Sequence, residues 1–234
     1  MYVDMHAHIL PRADHGSDGI ETSLAQLKCA ESAKVDTIVA TSHFYRHEMT
    51  VAEFLSRRNE AYELLLSKSP AVTIIPAAEV TLEVGLDEAE DLEKLCIGDT
   101  KNILIEMPSC VWTPWVFASL QNIVKNRGLH PIIAHIDRYF DNPECQKLIE
   151  MDYPLQVNAS SMKGWLKRRR ILGLVRSGAV SFLGSDVHGI SDEYDWFARA
   201  TAKFGGAMEE ITERSRIAVG QKKSPDVPFE ARAI

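Results

Sequence analysis

Seven short runs rich in Ile, Val and Leu alternate with longer stretches of helical character, and this alternation constrains the fold more than any other feature of the chain. The runs fall at residues 2–6, 37–42, 72–79, 102–107, 131–135, 155–158 and 180–185. They are too short for helices and rich in β-formers, so they read as strands. Helices are expected at 23–33, 51–67, 87–95, 114–127, 143–151 and 164–177, with a last helical region from about residue 192. Strands that alternate with helices pair in parallel through right-handed crossovers, and such units close readily into a barrel. The runs are apolar on both faces, as helix-covered strands must be. Parallel α/β barrels occupy roughly 200–250 residues as one domain, so the whole chain, 1–234, is expected to be a single α/β domain. Asn142-Pro143 reads as a helix start. Residues 221–234 have weak periodicity and read as a surface tail.

Charge and cysteine usage narrow the function classes. The chain carries 33 acidic and 26 basic residues, a net charge of −7. A general nucleic-acid binder needs a basic footprint, so no nucleic-acid partner is expected. The run Lys167, Arg168, Arg169, Arg170 reads as a solvated helix face. Cys29, Cys96, Cys110 and Cys145 show no CxxC spacing, and none opens a Cys-x5-Arg phosphate loop. Zinc-ribbon, thioredoxin-like and thiol-phosphatase readings therefore have no support. Such scattered cysteines fit a reducing, cytoplasmic setting. Candidate ligands begin at Asp4 and His6, which leaves no room for a cleavable leader. No apolar run approaches the ~20 residues that span a bilayer, so no membrane insertion is expected.

The chemistry collects at strand ends. His6 and His8 follow the first run, and His43, Glu79, Glu106 and His135 end the next four. Asp186 and His188 follow the seventh. The C-terminal strand ends of a parallel barrel share one face, where active sites sit. Residues far apart in sequence are thereby expected to converge. His6-x-His8 and Asp186-x-His188 are i, i+2 pairs, which extended backbone points the same way. A lone His is more often a core or surface residue than a ligand, and a lone Glu at a strand end is usually solvated. Five of the eight His and three acids at equivalent positions argue instead for one metal site. Imidazole combined with carboxylate suits Zn, Mn or Fe rather than Ca. His47 and His130 fall elsewhere and read as ordinary surface or loop residues, and His15 belongs to a loop.

The segments Asp4-Met-His6-Ala-His8, Thr41-Ser-His43, Ala78-Glu79, Ile105-Glu106, Ala134-His135-Ile-Asp-Arg138-Tyr139 and Gly184-Ser-Asp186-Val-His188 resemble the motifs of PHP (polymerase and histidinol phosphatase) domains. They appear in that superfamily's order and span positions 1 to about 190. His8-Ile-Leu-Pro11, residues 134–139 and Gln156-Val-Asn-Ala-Ser-Ser161 are most similar to the bacterial manganese-dependent tyrosine-protein phosphatases encoded with capsule and exopolysaccharide genes. The resemblance implies a distorted, TIM-like seven-stranded (β/α)7 barrel with two to three divalent transition-metal ions, Mn first, Fe or Zn as alternatives. Carried over by position, His6, His8, Glu79 and Asp186 would hold one ion. Glu79 would bridge to a second, with Glu106 and His135. His15, His43 and His188 would hold a third. Two departures stand out. Asp14-His15-Gly16 occupies the place of the relatives' Asp-Asp-Gly, so His15 replaces a carboxylate ligand and Asp14 is the alternative. Gly189-Ile-Ser-Asp-Glu follows the Asp-x-His motif where relatives can carry an Arg, leaving Arg12 or Arg46 as candidates for a second phosphate-binding Arg.

The implied activity is phosphomonoester hydrolysis without a covalent enzyme intermediate. The implied substrate is a phosphotyrosine protein, a tyrosine kinase of polysaccharide biosynthesis. Water activated by the metals attacks phosphorus in line. Arg138, assigned to both catalysis and substrate binding, neutralises charge on phosphoryl oxygens that its fork matches. Trp112, with Trp115 and Phe117, either walls a pocket for the phosphotyrosine ring or packs in the core. Other readings stay open: a small-molecule phosphatase such as histidinol-phosphatase, a phosphodiesterase (disfavoured by the acidic balance), and a weakly active phosphotyrosine-binding regulatory module. An amidohydrolase fits less well, because Glu79 and Glu106 stand where those enzymes use other ligands. A homo-oligomer is left open.

Overall fold

The seven apolar runs become seven strands: β1 (Tyr2–Ala7), β2 (Val35–Phe44), β3 (Thr73–Thr81), β4 (Asn102–Glu106), β5 (His130–Ile133), β6 (Leu155–Asn158) and β7 (Val180–Gly184). The computed structural model describes residues 1–222, so the expected tail lies outside the described residues beyond that point. The strands pair in parallel and in sequence order. The two edges then meet. The Asp186 N–H donates to the His6 carbonyl at 2.7 Å, and the His8 N–H to the Val187 carbonyl at 3.1 Å. The result is a nearly closed α/β barrel of the TIM-like kind, as expected. It is distorted at β5–β6, where only Ile133 and Leu155 pair, and at β1, whose register with β2 slips between Asp4 and Ala7.

Helices α1 (Ile20–Ser32), α2 (Val51–Leu66), α3 (Pro114–Arg127), α4 (Cys145–Glu150), α5 (Trp165–Arg176), α6 (Glu193–Phe204) and α7 (Ala207–Ala218) complete the chain. One expected helix is absent. Residues 87–95 form instead two single 3-10 turns, Leu86–Glu88 and Leu92–Leu95. Gly85 (φ 78°) and Asp91 (φ 61°) put left-handed residues immediately before each turn, and a continuous helix cannot pass through them. Leu86, Leu92 and Leu95 are still fully buried, so the segment covers the barrel without being an α-helix.

Strand parity sorts the core into two parts. Val3, Met5, Val39, Ala77, Leu104, Ile132, Ala134 and Phe182 share the interior cluster. Their neighbours in sequence, such as Ile38, Ala40, Ala78, Ile103, Ile105 and Ile133, pack outward under the helices. Ala218 and Val219 join the interior cluster from the end of α7. Asn102 at the start of β4 donates to the Ala218 carbonyl at 2.8 Å, so α7 closes the N-terminal end of the barrel. The opposite end is left to the polar side chains. No helix among the described residues is long and apolar enough to cross a membrane.

Gly184 is where the barrel has least room. A Cβ there would lie 2.6 Å from the His6 Cβ and 2.6 Å from the Gln156 Nε2. Gly184→Ala is expected to cost about 1–3 kcal/mol through overpacking. That corresponds to a Tm lower by roughly 3–10 °C in chelator-treated protein. Differential scanning calorimetry checks it; an unchanged Tm would mean that β1 and β7 can move apart freely.

Candidate metal centre

Alternation along a strand carries some of the candidate ligands into the barrel mouth without further device. Val39 faces inward, so His43, four residues on, faces inward too; Ala77 and Leu104 do the same for Glu79 and Glu106. Phe182 does so for Asp186, and His6, His8 and His135 need a local irregularity. On β1, Val3 and Met5 point in, while Ala7 and Ile9 pack outward. The register slip between Asp4 and Ala7 changes the parity and turns His6 and His8 inward. On β5, Ala134 already faces in, and regular backbone would turn His135 out. His135 adopts the left-handed region, φ 31°, which re-aims it. Asp186, just beyond β7, is left-handed as well, φ 54°. Such backbone costs about 1–3 kcal/mol per residue and persists where function requires it.

The inward side chains form one dense cluster. His6 Nε2 lies 3.1 Å from Glu79 Oε2 and 3.4 Å from Asp186 Oδ1. His8 Nε2 lies 3.2 and 3.5 Å from the same oxygens. His43 Nδ1 is 3.1 Å from Glu79 Oε2, and His135 Nε2 is 2.7 Å from Glu79 Oε1 and 3.6 Å from Glu106 Oε1. Three groups of potential ligand atoms lie within 4.8 Å of one another: His6–His8–Glu79–Asp186, His43–Glu79–Glu106, and His8–His43–His188. Several of these buried atoms have no hydrogen-bond partner, among them Glu79 Oε2, Asp186 Oδ1, His43 Nδ1 and His188 Nε2. Unsatisfied buried acceptors are costly and rare unless something else satisfies them. Nitrogen and carboxylate donors at this density can bind a divalent transition metal.

Outer partners hold the ligands in place. Asp14 Oδ2 accepts from His8 Nδ1 at 2.7 Å and from the His43 N–H at 3.0 Å, and its Oδ1 takes the Gly16 N–H at 2.9 Å. A Cβ on Gly16 would meet the His8 Cβ at 2.2 Å, so this loop tolerates only glycine. Gln156 Oε1 faces His6 Nδ1 at 3.3 Å and accepts from the His135 N–H at 2.6 Å. Asn158 donates to Asp186 Oδ2 at 2.6 Å. Asp14 and Gln156 thereby engage the Nδ1 of His8 and His6 and leave the Nε2 of each toward the cluster.

The charges settle against burial. Burial opposes charge on Glu79, but His6, His135 and His8 outweigh it and hold the carboxylate well below its usual range. Asp186 is depressed for the same reason, by His6, His8 and Arg138. Burial also opposes protons on His6 and His8, but Glu79, Asp186 and, for His8, Asp14 outweigh it, so both rings titrate above their ordinary 6.5. His43 goes the other way: burial pushes it down to about 3. Protons on His6 and His8 occupy the nitrogens a metal would use. The stability they contribute is fully present below pH 6.5 and is lost as pH rises through their raised pKa. Metal affinity rises over the same window, because those protons must leave. The Tm gap between metal-supplemented and chelator-treated protein is therefore expected to widen as pH rises from about 6.5. A gap that narrows would contradict this ordering.

Some residues singled out in the sequence lie at the rim of the cluster or outside it. His15 is exposed, and its ring stacks against His43 at 4.7 Å and His188 at 4.9 Å. The compact third group contains His8 in its place. Asp14, the alternative, already has both oxygens engaged. Trp112 does not line the neighbouring cleft. It is buried, donates to the Pro108 carbonyl at 2.9 Å, and packs edge-on against Tyr139 at 5.3 Å. The ring therefore supports the wall of the neighbouring cleft from behind. Arg12 and Arg46 donate to the carbonyls of Asp18 and Val84, and neither lines that cleft. His47 is exposed and pairs with Glu83. Tyr45 escaped the sequence reading. It stacks on His43 at 5.3 Å and lines the same cleft as Arg138. Only its place two residues beyond His43 hinted at this.

Arg138 lies at the junction of cluster and cleft. Its guanidinium pairs with Asp186, lies 3.7 Å from Glu106 Oε1, and approaches His135 Nε2 at 3.3 Å. The cleft, about 620 Å³, continues from Glu106 and Arg138 between Tyr45, Met107, Pro108 and Tyr139.

Known proteins are similar to this chain over most of its length. Tyrosine-protein phosphatase YwqE of Bacillus subtilis (strain 168) is 29% identical over 202 residues, covering 80% of this chain and 78% of that protein. Tyrosine-protein phosphatase CpsB of Streptococcus pneumoniae is 28% identical over 219 residues, covering 85% and 87%. A solved structure, from work described as crystal structures of YwqE from Bacillus subtilis and CpsB from Streptococcus pneumoniae, "unique metal-dependent tyrosine phosphatases", superposes with a TM-score of 0.76 at 22% identity, over 94% of this chain and 95% of that one. The family model described as "Capsular polysaccharide synthesis, CpsB/CapC" matches residues 2–205. The chain belongs to the CpsB/CapC family of capsular polysaccharide synthesis.

Proposed function

We propose that this chain is a metal-dependent phosphomonoester hydrolase that removes phosphate from tyrosine in proteins, with a tyrosine kinase of a polysaccharide-synthesis system as its substrate. The observation that carries this reading is the cleft. Tyr45, Met107, Pro108 and Tyr139 line it together with Glu106 and Arg138, and those last two also touch the ligand cluster at His135 and Asp186. An aryl ring between such walls brings its phosphate to the polar end. The similarity to tyrosine-protein phosphatases supports the same substrate class. The free cysteines fit a cytoplasmic protein, and the barrel a single-domain one.

The assignment of ligands follows from donor chemistry. An imidazole nitrogen has one lone pair, so His8 and His43 each serve one ion at a time, whereas Glu79 has two oxygens and can bridge. His6, His8, Glu79 and Asp186 would hold the first ion; Glu79, Glu106 and His135 the second. His43 and His188, with His15 at the rim, would hold a third, Mn being the metal expected. Ions held by these residues would supply Lewis acidity, offsetting phosphate charge and lowering the pKa of water. The protein's own part is orientation. Asp14 and Gln156 hold the rings, Tyr45 and Tyr139 confine the aryl group, and Arg138 offers a fixed positive charge to the phosphoryl oxygens.

A chelator is therefore expected to abolish hydrolysis of a phosphotyrosine peptide. Cys110→Ser is expected to leave kcat within about twofold of wild type, since no thiol is required. Substitution is the cleaner test, because Cys110 lines the cleft and an alkylated Cys110 would obstruct it. Full activity in chelator, or none in Cys110→Ser with metal content intact, would overturn the reading.

A further inference from the structure

The flank beside the catalytic mouth carries a charge that the rest of the molecule does not. The segment 165–176 holds five basic residues and no acid, in a chain of net charge −7. Arg170 is used internally. Its Nη1 donates to the Phe140 carbonyl at 2.8 Å, and its guanidinium lies 4.2 Å from the Phe140 ring. That contact bolts α5 to the end of the turn bearing Arg138. Lys167, Arg168, Arg169 and Arg176 make neither an ion pair nor a side-chain hydrogen bond among the described residues. Trp165 and Leu166 open the same helix and are 61% and 72% exposed. A shallow groove of about 190 Å³ runs between Trp165, Arg168, Arg169, Leu172 and Arg176.

The helix's direction says what such a groove can hold. α5 follows β6, whose last residue, Asn158, binds Asp186. Its N-terminus therefore lies on the catalytic face, and the stripe from Trp165 to Arg176 leads from that rim down the barrel flank. Eleven helical steps span about 16 Å, the length of about five extended residues. A membrane lying on this stripe would meet the flank of the barrel and leave the mouth turned aside. A peptide whose phosphotyrosine sits in the mouth passes the stripe with its neighbouring residues.

We propose that α5 is a docking surface for an acidic, extended segment flanking the phosphotyrosine of the protein substrate, with the unpaired guanidinium groups receiving its carboxylates and Trp165 and Leu172 its side-chain stems. The proposal rests on the phosphotyrosine-phosphatase reading. Arg pairs with carboxylate in a bidentate fork, and several unpaired cations along one groove favour an anionic partner through charge complementarity.

The test uses metal-supplemented full-length protein and three substrates: a generic aryl phosphate, a phosphotyrosine peptide flanked by five Glu or Asp on either side in turn, and the same peptides with Gln and Asn. For wild type, the better acidic peptide is expected to show a KM at least about fivefold below its neutral counterpart, with the advantage falling as salt is raised. In Arg168→Gln/Arg169→Gln/Arg176→Gln that advantage is expected to vanish, while kcat and the aryl phosphate kcat/KM stay at wild type. An unchanged KM ratio in the triple variant overturns the docking surface. If no substrate is hydrolysed, the phosphatase reading fails by itself; the docking surface is then read from the Trp165 fluorescence, taken as the difference between wild type and Trp165→Phe, which the unphosphorylated acidic peptide should shift and the neutral one should not. Vesicles rich in anionic lipid form the last arm. A Trp165 shift with vesicles and none with acidic peptide assigns α5 to a lipid surface and overturns the proposal.

Discussion

Glu79→Gln is expected to lose more than one equivalent of bound metal and to leave roughly a thousandth or less of wild-type turnover. The substitution keeps volume and shape, so it isolates chemistry from packing. Glu79 is fully buried, and its two oxygens face four imidazoles, His6, His8, His43 and His135. Gln offers one acceptor and one NH₂ group in that space. The NH₂ hydrogens would point at nitrogens that must keep their lone pairs for metal, and the site would also lose its central negative charge. His6→Ala should lose less metal, because His6 serves one group of ligand atoms while Glu79 serves two. Elemental analysis of supplemented, desalted protein and the rate on an aryl phosphate give both numbers. A Glu79→Gln protein with a full metal complement and more than about a tenth of the activity would remove Glu79 from the bridging position.

Much of this site was legible because strand parity is a local rule. His43, Glu79 and Glu106 lie on β2, β3 and β4, where the backbone alternation runs unbroken, so their place at the strand ends was readable and the inward-facing Val39, Ala77 and Leu104 fix their direction. His6, His135 and Asp186 are different. Their presence near strand ends was readable, but the inward direction of His6 depends on a register slip and that of His135 on a left-handed residue, while Asp186 keeps the parity of Phe182 on a backbone that turns left-handed. Neither His nor Asp at those positions announces a positive φ, since the strain is sustained by contacts from other strands. The Gln156 side chain that receives the His135 N–H comes from β6.

The remaining differences share one cause. Loops are placed by what they pack against, and sequence records that poorly. His15 aligns with a ligand position, yet its neighbour Asp14 turns into the cluster to hold His8 and leaves His15 exposed. Residues 87–95 carry a helical pattern of leucines, but left-handed residues break it into two turns. Trp112 follows β4 on the catalytic side, and only the position of Tyr139 shows that the indole stands behind the cleft wall. In each case the residue type was informative and the direction of the side chain was not.

Arg138→Ala is expected to keep its metals and to cut kcat by roughly 10² to 10³, or about 2.7–4 kcal/mol of transition-state stabilisation. The guanidinium stands between Asp186, Glu106 and the cleft, where a phosphate carried in by that cleft would meet the cluster. Burial works against its charge, but Asp186 and Glu79 outweigh it, so the group stays cationic at any working pH. A phosphoryl group gaining charge in the transition state meets a donor that needs no reorganisation. The same contacts permit a purely structural role, since Arg138 ties the turn after β5 to Asp186 beyond β7. The two roles separate by measurement. A structural tie predicts a lower Tm for Arg138→Ala, a near-normal kcat for the folded fraction, and a metal content that falls as Asp186 loosens. A role at the transition state predicts normal metal content, little change in Tm and a large loss in kcat. Arg138→Lys sharpens the distinction, because an ammonium preserves charge but lacks the planar fork. Partial recovery of kcat by Lys points to charge, with the shortfall measuring the fork; an unchanged kcat in Arg138→Ala would leave the metal cluster as the only catalyst assigned.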